Sequence, residues 1–192
     1  MNIVERAKNI LLTPSAEWDK IAGEEHTVQG LYTGWIMILA AIPAIAGFIG
    51  LSLIGMSAFG FSYRVPITWG LANAVVSYLL GLASVYVMAL IINELATKFG
   101  GEKDFAQAFK VAAFTPTASW LAGIFSIIPA LSMLGILGLY SLYLLYLGAP
   151  KLMKVPDEKS TSYVVVVIIC AIVVFLIIGA LSALTIPGRP SM

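Results

Sequence analysis

Four stretches of this chain contain no Asp, Glu, Lys or Arg: Thr27–Tyr63, Val65–Asn93, Val111–Pro150 and Ser160–Gly188, with lengths of 37, 29, 40 and 29 residues. Nothing else in the sequence constrains the fold so strongly. A helix crossing ~30 Å of hydrocarbon needs about 20 apolar residues, so each stretch can cross once and the third can cross twice. Soluble domains run near a quarter charged, whereas 11% of these 192 residues are charged and 60% are hydrophobic. The chain reads as an all-α, polytopic membrane protein.

Pro129 falls near the middle of the 40-residue stretch, between Ser126 and Ser132. Proline suits the first turn of a new helix better than a helix interior, which predicts a tight hairpin there. The expected crossings are about 31–55, 67–93, 107–128, 130–148 and 163–186, five within a membrane region of 31–188, with an outer tail at 189–192. Arg6, Lys8 and Lys20 precede the first crossing; Lys98, Lys103 and Lys110 follow the second; Lys151, Lys154 and Lys159 follow the fourth. Only Arg64 and Arg189 fall on the other side. Basic residues mark the cytoplasmic face, so the amino terminus is expected inside and the carboxyl terminus outside. A four- or six-span count would place consecutive lysine loops on opposite faces. Tyr32, Trp35, Tyr63, Trp69, Tyr146 and Tyr163 stand at the predicted borders, as an aromatic belt requires, while Trp120 falls mid-span, where it is expected to pack on another helix.

Residues 1–30 form a separate element. Ile3, Val4, Ala7, Ile10 and Leu11 repeat at helical spacing, with Glu5, Arg6, Lys8 and Asn9 opposite. Thr13-Pro14 reads as a cap and first-turn proline, opening a second short helix that presents Trp18 and Ile21 and stops at Gly23. Two readings follow. Ile3, Ile10, Leu11, Trp18 and Ile21 contact the membrane surface or a partner, or the segment lies against the cytoplasmic ends of the chain's own helices. No continuous apolar run in this segment resembles a cleavable signal, so the first crossing is expected to direct its own insertion.

Several functions are disfavoured by what the chain lacks. A net charge of +1 gives no basic footprint for nucleic acid. The lone Cys170 and lone His26 supply neither a thiolate zinc site nor any other metal centre. No phosphate-cradling glycine loop, His-Glu-x-x-His or serine–histidine pair beyond His26 is present, and no cofactor is expected. Enzyme is the weakest class.

Polar residues at membrane depth are costly and therefore informative. Asn93-Glu94 ends the second crossing, where Glu94 reads either as a cation site or as the partner of Lys98 one turn on. Asn73, Ser77, Gly81 and Ser84 fall on one helical face, fit to pack a neighbouring helix or to line a polar path. Thr115-Pro116-Thr117 interrupts the third crossing. Proline there removes the bond to the Ala112 carbonyl and kinks the helix, as in the broken helices of transporters, unless a threonine hydroxyl simply satisfies the freed carbonyl. Pro43 in the first crossing is a similar break with less polar company. The loop Ala149–Thr161 carries three lysines, fewer than a dedicated lipid-binding cluster has.

Pro14, Trp18, Ile21 and Glu24 ahead of Ile42-Pro43 and Phe48-Ile49-Gly50, with Tyr143 to Pro150 before a lysine loop, resemble the bacterial branch of the Yip family of Ypt/Rab-interacting membrane proteins. The resemblance covers nearly the whole chain and lies in the order of elements more than in any one motif. It implies five spans with a cytoplasmic amino terminus, and an inner-membrane protein without an assigned activity. The long amino-terminal domain and the Asp-Leu-Tyr-Gly-Pro signature of eukaryotic relatives are missing, so GTPase binding is not supported by the residues present. The expected role is non-enzymatic: a membrane-organising or partner-binding protein in the lipid bilayer, meeting a membrane-protein partner or a second copy of itself. A small transporter or channel for an ion or solute is the alternative.

Overall fold

The computed structural model describes residues 2–58 and 61–183. Helix α1 (Ile3–Leu12) starts where the Asn2 side chain accepts hydrogen bonds from the Val4 and Glu5 amides, at 3.1 and 3.3 Å. It stops at Thr13, and Pro14 opens α2 (Pro14–Gly23) with its ring already set to helical φ. The first long helix, α3 (Val28–Ile54), is capped by the Thr27 hydroxyl on the Gly30 amide at 3.0 Å. Its turns widen to π-helix at Tyr32–Ile36 and at Ile49–Ile54, on either side of Pro43 in its interior.

Two three-residue strands, β1 (Met56–Ala58) and β2 (Phe61–Tyr63), pair antiparallel with Met56 opposite Tyr63. This hairpin stands where the all-α expectation had only a turn. Gly55, at φ 81°, turns the chain out of the helix to begin it. Helix α4 (Ile67–Lys98) then runs 32 residues, past the expected end at Asn93. It ends with Gly100 at φ 82° and the Gly101 amide on the Ala96 carbonyl at 2.9 Å, a glycine stop that the lysine-rich sequence around it hid.

The expected third crossing, 107–128, is not one helix. The chain forms α5 (Phe105–Phe114), breaks at Thr115-Pro116, forms α6 (Thr117–Ala122), and ends in a 3-10 turn over Gly123–Ile127. Pro129 opens α7 (Pro129–Leu152), whose first part, Pro129–Leu139, is 3-10 and whose remainder, Tyr140–Leu152, is α. An eleven-residue 3-10 run is long for that conformation. Helix α8 (Asp157–Ala183) completes the bundle. The expected end of the last crossing at 186 and the tail at 189–192 lie outside the described residues. Among the described residues four helices, α3, α4, α7 and α8, are long and apolar enough to cross a membrane; the break at Pro116 leaves α5 and α6 each too short to do so alone.

Contacts fix which ends lie together. Lys154 pairs with Glu102 at 2.6 Å and Lys151 with Asp19 at 2.6 Å. The amino-terminal helices and the α4–α5 and α7–α8 loops therefore share one end of the bundle, the lysine-bearing end. Far from it, the Asn73 amide donates to the Ser182 carbonyl at 2.9 Å, so the start of α4 meets the end of α8. The broken segment reaches that far level too, because Gly50 of α3 sits directly on the Ser126 carbonyl with no room for a Cβ. Trp18, Trp35, Phe109, Phe114 and Tyr163 are fully buried in a core at the lysine-bearing end.

Candidate functional site

A cavity of about 750 Å³ opens in the bundle between α3, α4, the broken α5–α6 segment, α7 and α8. The sequence-predicted stripe Asn73, Ser77, Gly81 and Ser84 lines it from α4, and Thr115 and Pro116 line it from the break. The structure thus brings together the two features that the sequence placed on separate helices. Ser119, one turn beyond Thr115, and Ser141 of α7 also line it. Spacing alone could have flagged Ser119, because it shares the helical face of Thr115; nothing local in the sequence pointed to Ser141.

Most polar groups around the cavity already hold the helices together. Ser77 donates to the Ser182 hydroxyl at 3.0 Å, beside the Asn73–Ser182 bond, which ties α4 to α8. Tyr78 donates to the Met37 carbonyl at 3.0 Å, joining α4 to α3, whereas Ser84 bonds within α4, to the Gly81 carbonyl at 2.6 Å. Ser119 donates to the Gly138 carbonyl at 2.8 Å, so the 2.9 Å contact with Ser141 must take its proton from Ser141. Such bonds let helices associate where apolar burial gives no driving force. Among the described residues, no Asp, Glu, Lys, Arg or His lines the cavity.

The break itself is satisfied in part. Thr117 is fully buried and donates from Oγ1 to the Phe114 carbonyl at 2.6 Å, as a threonine beside a proline break is expected to do. The acceptor is the Phe114 carbonyl, not the expected Ala112 carbonyl. The Thr115 Oγ1 is shielded from solvent and has no hydrogen-bond partner among the described residues.

Asn93 and Glu94 part company. Asn93 is buried, with its Oδ1 unpartnered among the described residues. Glu94 is exposed and pairs with Lys103 at 2.5 Å, so the expected pairing with Lys98 is corrected. The α4–α5 loop, folded back by Gly100, brings Lys103 to it, and helical spacing cannot register such a return. Glu94 does not line the cavity.

The amino-terminal segment caps the lysine-bearing end. Ile10, Trp18 and Ile21 are fully buried against the chain's own helices, and Ile3 and Leu11 are partly so; docked in this way, the first three are closed to lipid and partner alike. The Trp18 indole lies on Gly148 of α7, where any Cβ would collide with it, and meets Phe114 edge-on at 6.4 Å. Tyr140 donates to the Leu11 carbonyl at 2.9 Å. Lys110, 4% exposed, donates to the Ile21 and Ala22 carbonyls at 3.0 and 3.3 Å, satisfying carbonyls that the end of α2 leaves open.

An ion network that the sequence did not announce secures this cap. Arg6 pairs with buried Glu17 at 2.8 Å and binds both oxygens of Glu24 at 2.6 and 2.7 Å, while His26 Nε2 lies 2.8 Å from Glu24. Burial pushes the Glu24 carboxyl up, but the hydrogen bonds from Arg6 and His26 outweigh it and hold the group below the usual carboxylate range. The Arg6 guanidinium also stands 6.0 Å from the centre of the Phe114 ring. Phe114 therefore joins the cap to the break, because Thr115 and Pro116 follow it directly.

Comparison with known proteins agrees with this architecture. Residues 8–179 match the Yip1 domain. Over 156 residues the chain is 30% identical to an inner membrane protein, YohC, of Escherichia coli strain K12, covering 78% of this chain and 80% of the relative. The protein of the same name from Escherichia coli O6:H1 matches to the same extent. No solved structure matches.

Proposed function

The chain belongs to the Yip1 domain family, and from that membership we propose that it is a non-enzymatic inner-membrane protein that organises the bilayer or a membrane-protein partner by binding within the bundle. The observation that carries this reading is the cavity: large, set among the membrane helices, and lined by no charged group among the described residues. A path for ions would need charges or open carbonyl groups along it. The break at Pro116, which the cavity reaches, is what favours transport of a small solute as the second reading. Reconstitution into liposomes separates the two. Tight vesicles together with a co-purifying lipid, protein partner or second copy support the organising role, whereas selective solute flux supports transport and overturns it.

The topology completes the proposal. Helix α5, the break, α6 and the 3-10 turn add up to about 37 Å at 1.5 and 2.0 Å per residue, enough to cross ~30 Å of hydrocarbon despite the interruption. The broken segment is then a fifth crossing, with the lysine-bearing end cytoplasmic and the carboxyl-terminal end of α8 outside. Reporter fusions at Gly23, Gly101 and Val155 are expected on the cytoplasmic side, and fusions after Ala183 outside. A cytoplasmic signal after Ala183 would overturn the five-crossing count.

A further inference from the structure

We propose that the cavity seats one acyl chain of a bilayer lipid, entering sideways between the Pro129–Leu139 part of α7 and the outer half of α8. The proposal rests on reading the protein as a binding scaffold and names what is bound. Space comes first: about 750 Å³ is the size of pockets that enclose a whole small ligand. Chemistry selects the occupant. Water in a cavity needs two to four polar partners per molecule; Ser84 is bonded to Gly81 and Ser119 to Gly138, and the Thr115 hydroxyl, without a partner among the described residues, supplies a single one. An ion would find no charge among the described residues that line it. A hydrocarbon chain needs neither.

Access points the same way. Leu139 of α7 and Ile172 and Phe175 of α8 line the cavity and yet are 60%, 52% and 73% exposed, so its rim is open to lipid on that side. Pro129–Leu139 packs on α6 and the 3-10 turn after it, while α8 packs on α4 and on Tyr140–Leu152. The two outer halves thus flank a gap that leads inward. Gly47, Gly81 and Gly135 line the cavity, and a Cβ built on any of them meets nothing within 4 Å. These glycines leave room that side chains could take.

That spare room supplies the test. The full chain carrying Trp69→Phe, which removes an exposed tryptophan, is placed in nanodiscs of phosphatidylcholine with brominated acyl chains. Trp120, which lines the cavity, is expected to be quenched. Adding Gly81→Leu and Gly135→Leu fills the space and should abolish most of that quenching with no loss of thermal stability. Native mass spectrometry should find one phospholipid retained by the parent chain and none by the filled one. If the double variant fails to fold, Gly47→Leu fills the same cavity from α3. Equal quenching and equal lipid retention in parent and filled chains would overturn the proposal. So would rapid labelling of Ser84→Cys, in a Cys170→Ser background, by a membrane-impermeant thiol reagent, because that would mean the cavity holds water. Loss of the acyl seat without solute flux would sink this inference alone, while selective flux would sink the organising role as well.

Discussion

The two ends of this bundle are held together by different physics. At the lysine-bearing end, Trp18, Trp35, Phe109, Phe114 and Tyr163 interlock in a core that would serve a soluble protein, sealed by Arg6 between two carboxylates. At the hairpin end, Met133 is 82% exposed and Phe175 73% exposed, and helices meet through small residues and hydroxyls such as Ser77, Ser119, Ser182 and Gly138. Water drives aromatic burial at the first end; lipid, as apolar as leucine, gives no such drive at the second. The cavity lies where the tight half gives way to the loose one.

The sharpest way to break that contrast is to truncate one large side chain in each half. Trp18→Ala should cost about 3–5 kcal/mol, because the fully buried indole fills the space above Gly148 and against Phe114. Spin labels on Val4 should then report an undocked cap. Phe175→Ala, which removes a lipid-facing ring, should stay within ~0.5 kcal/mol. Similar losses at both positions in detergent melting would abolish the distinction.

Next in size is the ion network. Arg6→Met leaves buried Glu17 with only the longer 3.4 Å pair to Lys20, a loss of up to about 3 kcal/mol, somewhat offset because Glu24 keeps His26 and partial solvent contact. The same network predicts a dependence on pH. The Glu24 carboxyl is held below its ordinary value in the folded state, so its contribution is fully present above the unfolded value and is lost as pH falls through the lowered folded one. Undocking of the cap should therefore rise in acid, below about pH 4.5, in the parent chain, and this dependence should weaken in Arg6→Met. A cap equally stable at pH 3 and pH 7 would remove Glu24 from the account.

Smaller still is the effect expected at the boundary between the halves. Pro116→Ala returns an N–H that can meet the Ala112 carbonyl, so stability should change by no more than ~1 kcal/mol. The cavity should respond instead, because straightening the segment shifts Thr115 and Ser119 relative to α4. Retention of a bound lipid, compared in the parent chain and Pro116→Ala, measures that shift. Unchanged retention would mean that the break is not what shapes the space.

How much of this could be read from the residues follows from the same contrast. Much of the hairpin end obeys local rules: uncharged length, helical faces and proline breaks place the stripe at Asn73–Ser84 and the interruption at Thr115–Thr117 from the sequence alone. The lysine-bearing end depends on contacts far apart in sequence, such as Arg6 of α1 with Glu24 at the end of α2, Tyr140 with Leu11, and Lys110 with Ile21. Periodicity showed that Ile10, Trp18 and Ile21 needed an apolar partner but could not choose between lipid, another protein and the chain itself. The β-hairpin and the 3-10 half of α7 gave no local signal, because glycine-rich apolar stretches fit several backbone conformations.

Glu94 shows where helical arithmetic stops, and it carries the smallest effect expected. On α4 it borders the stripe and faces Lys98 one turn on, which made both a membrane cation site and a helix pair reasonable from the sequence. In the fold it is more than half exposed and bonded to Lys103 across the loop. Glu94→Gln keeps the shape and removes the charge, so the loss should be about 0.2–1 kcal/mol, typical of a solvent-exposed pair and reduced further by salt. Lys103→Gln should cost the same, and the double variant no more than either single one, because the pair is a unit. Lys98→Gln should then do nothing measurable. A Lys98→Gln loss equal to that of Lys103→Gln would restore the intrahelical pairing, and a Glu94→Gln loss of several kcal/mol would place this carboxylate in a buried setting that belongs to the tight half of the molecule.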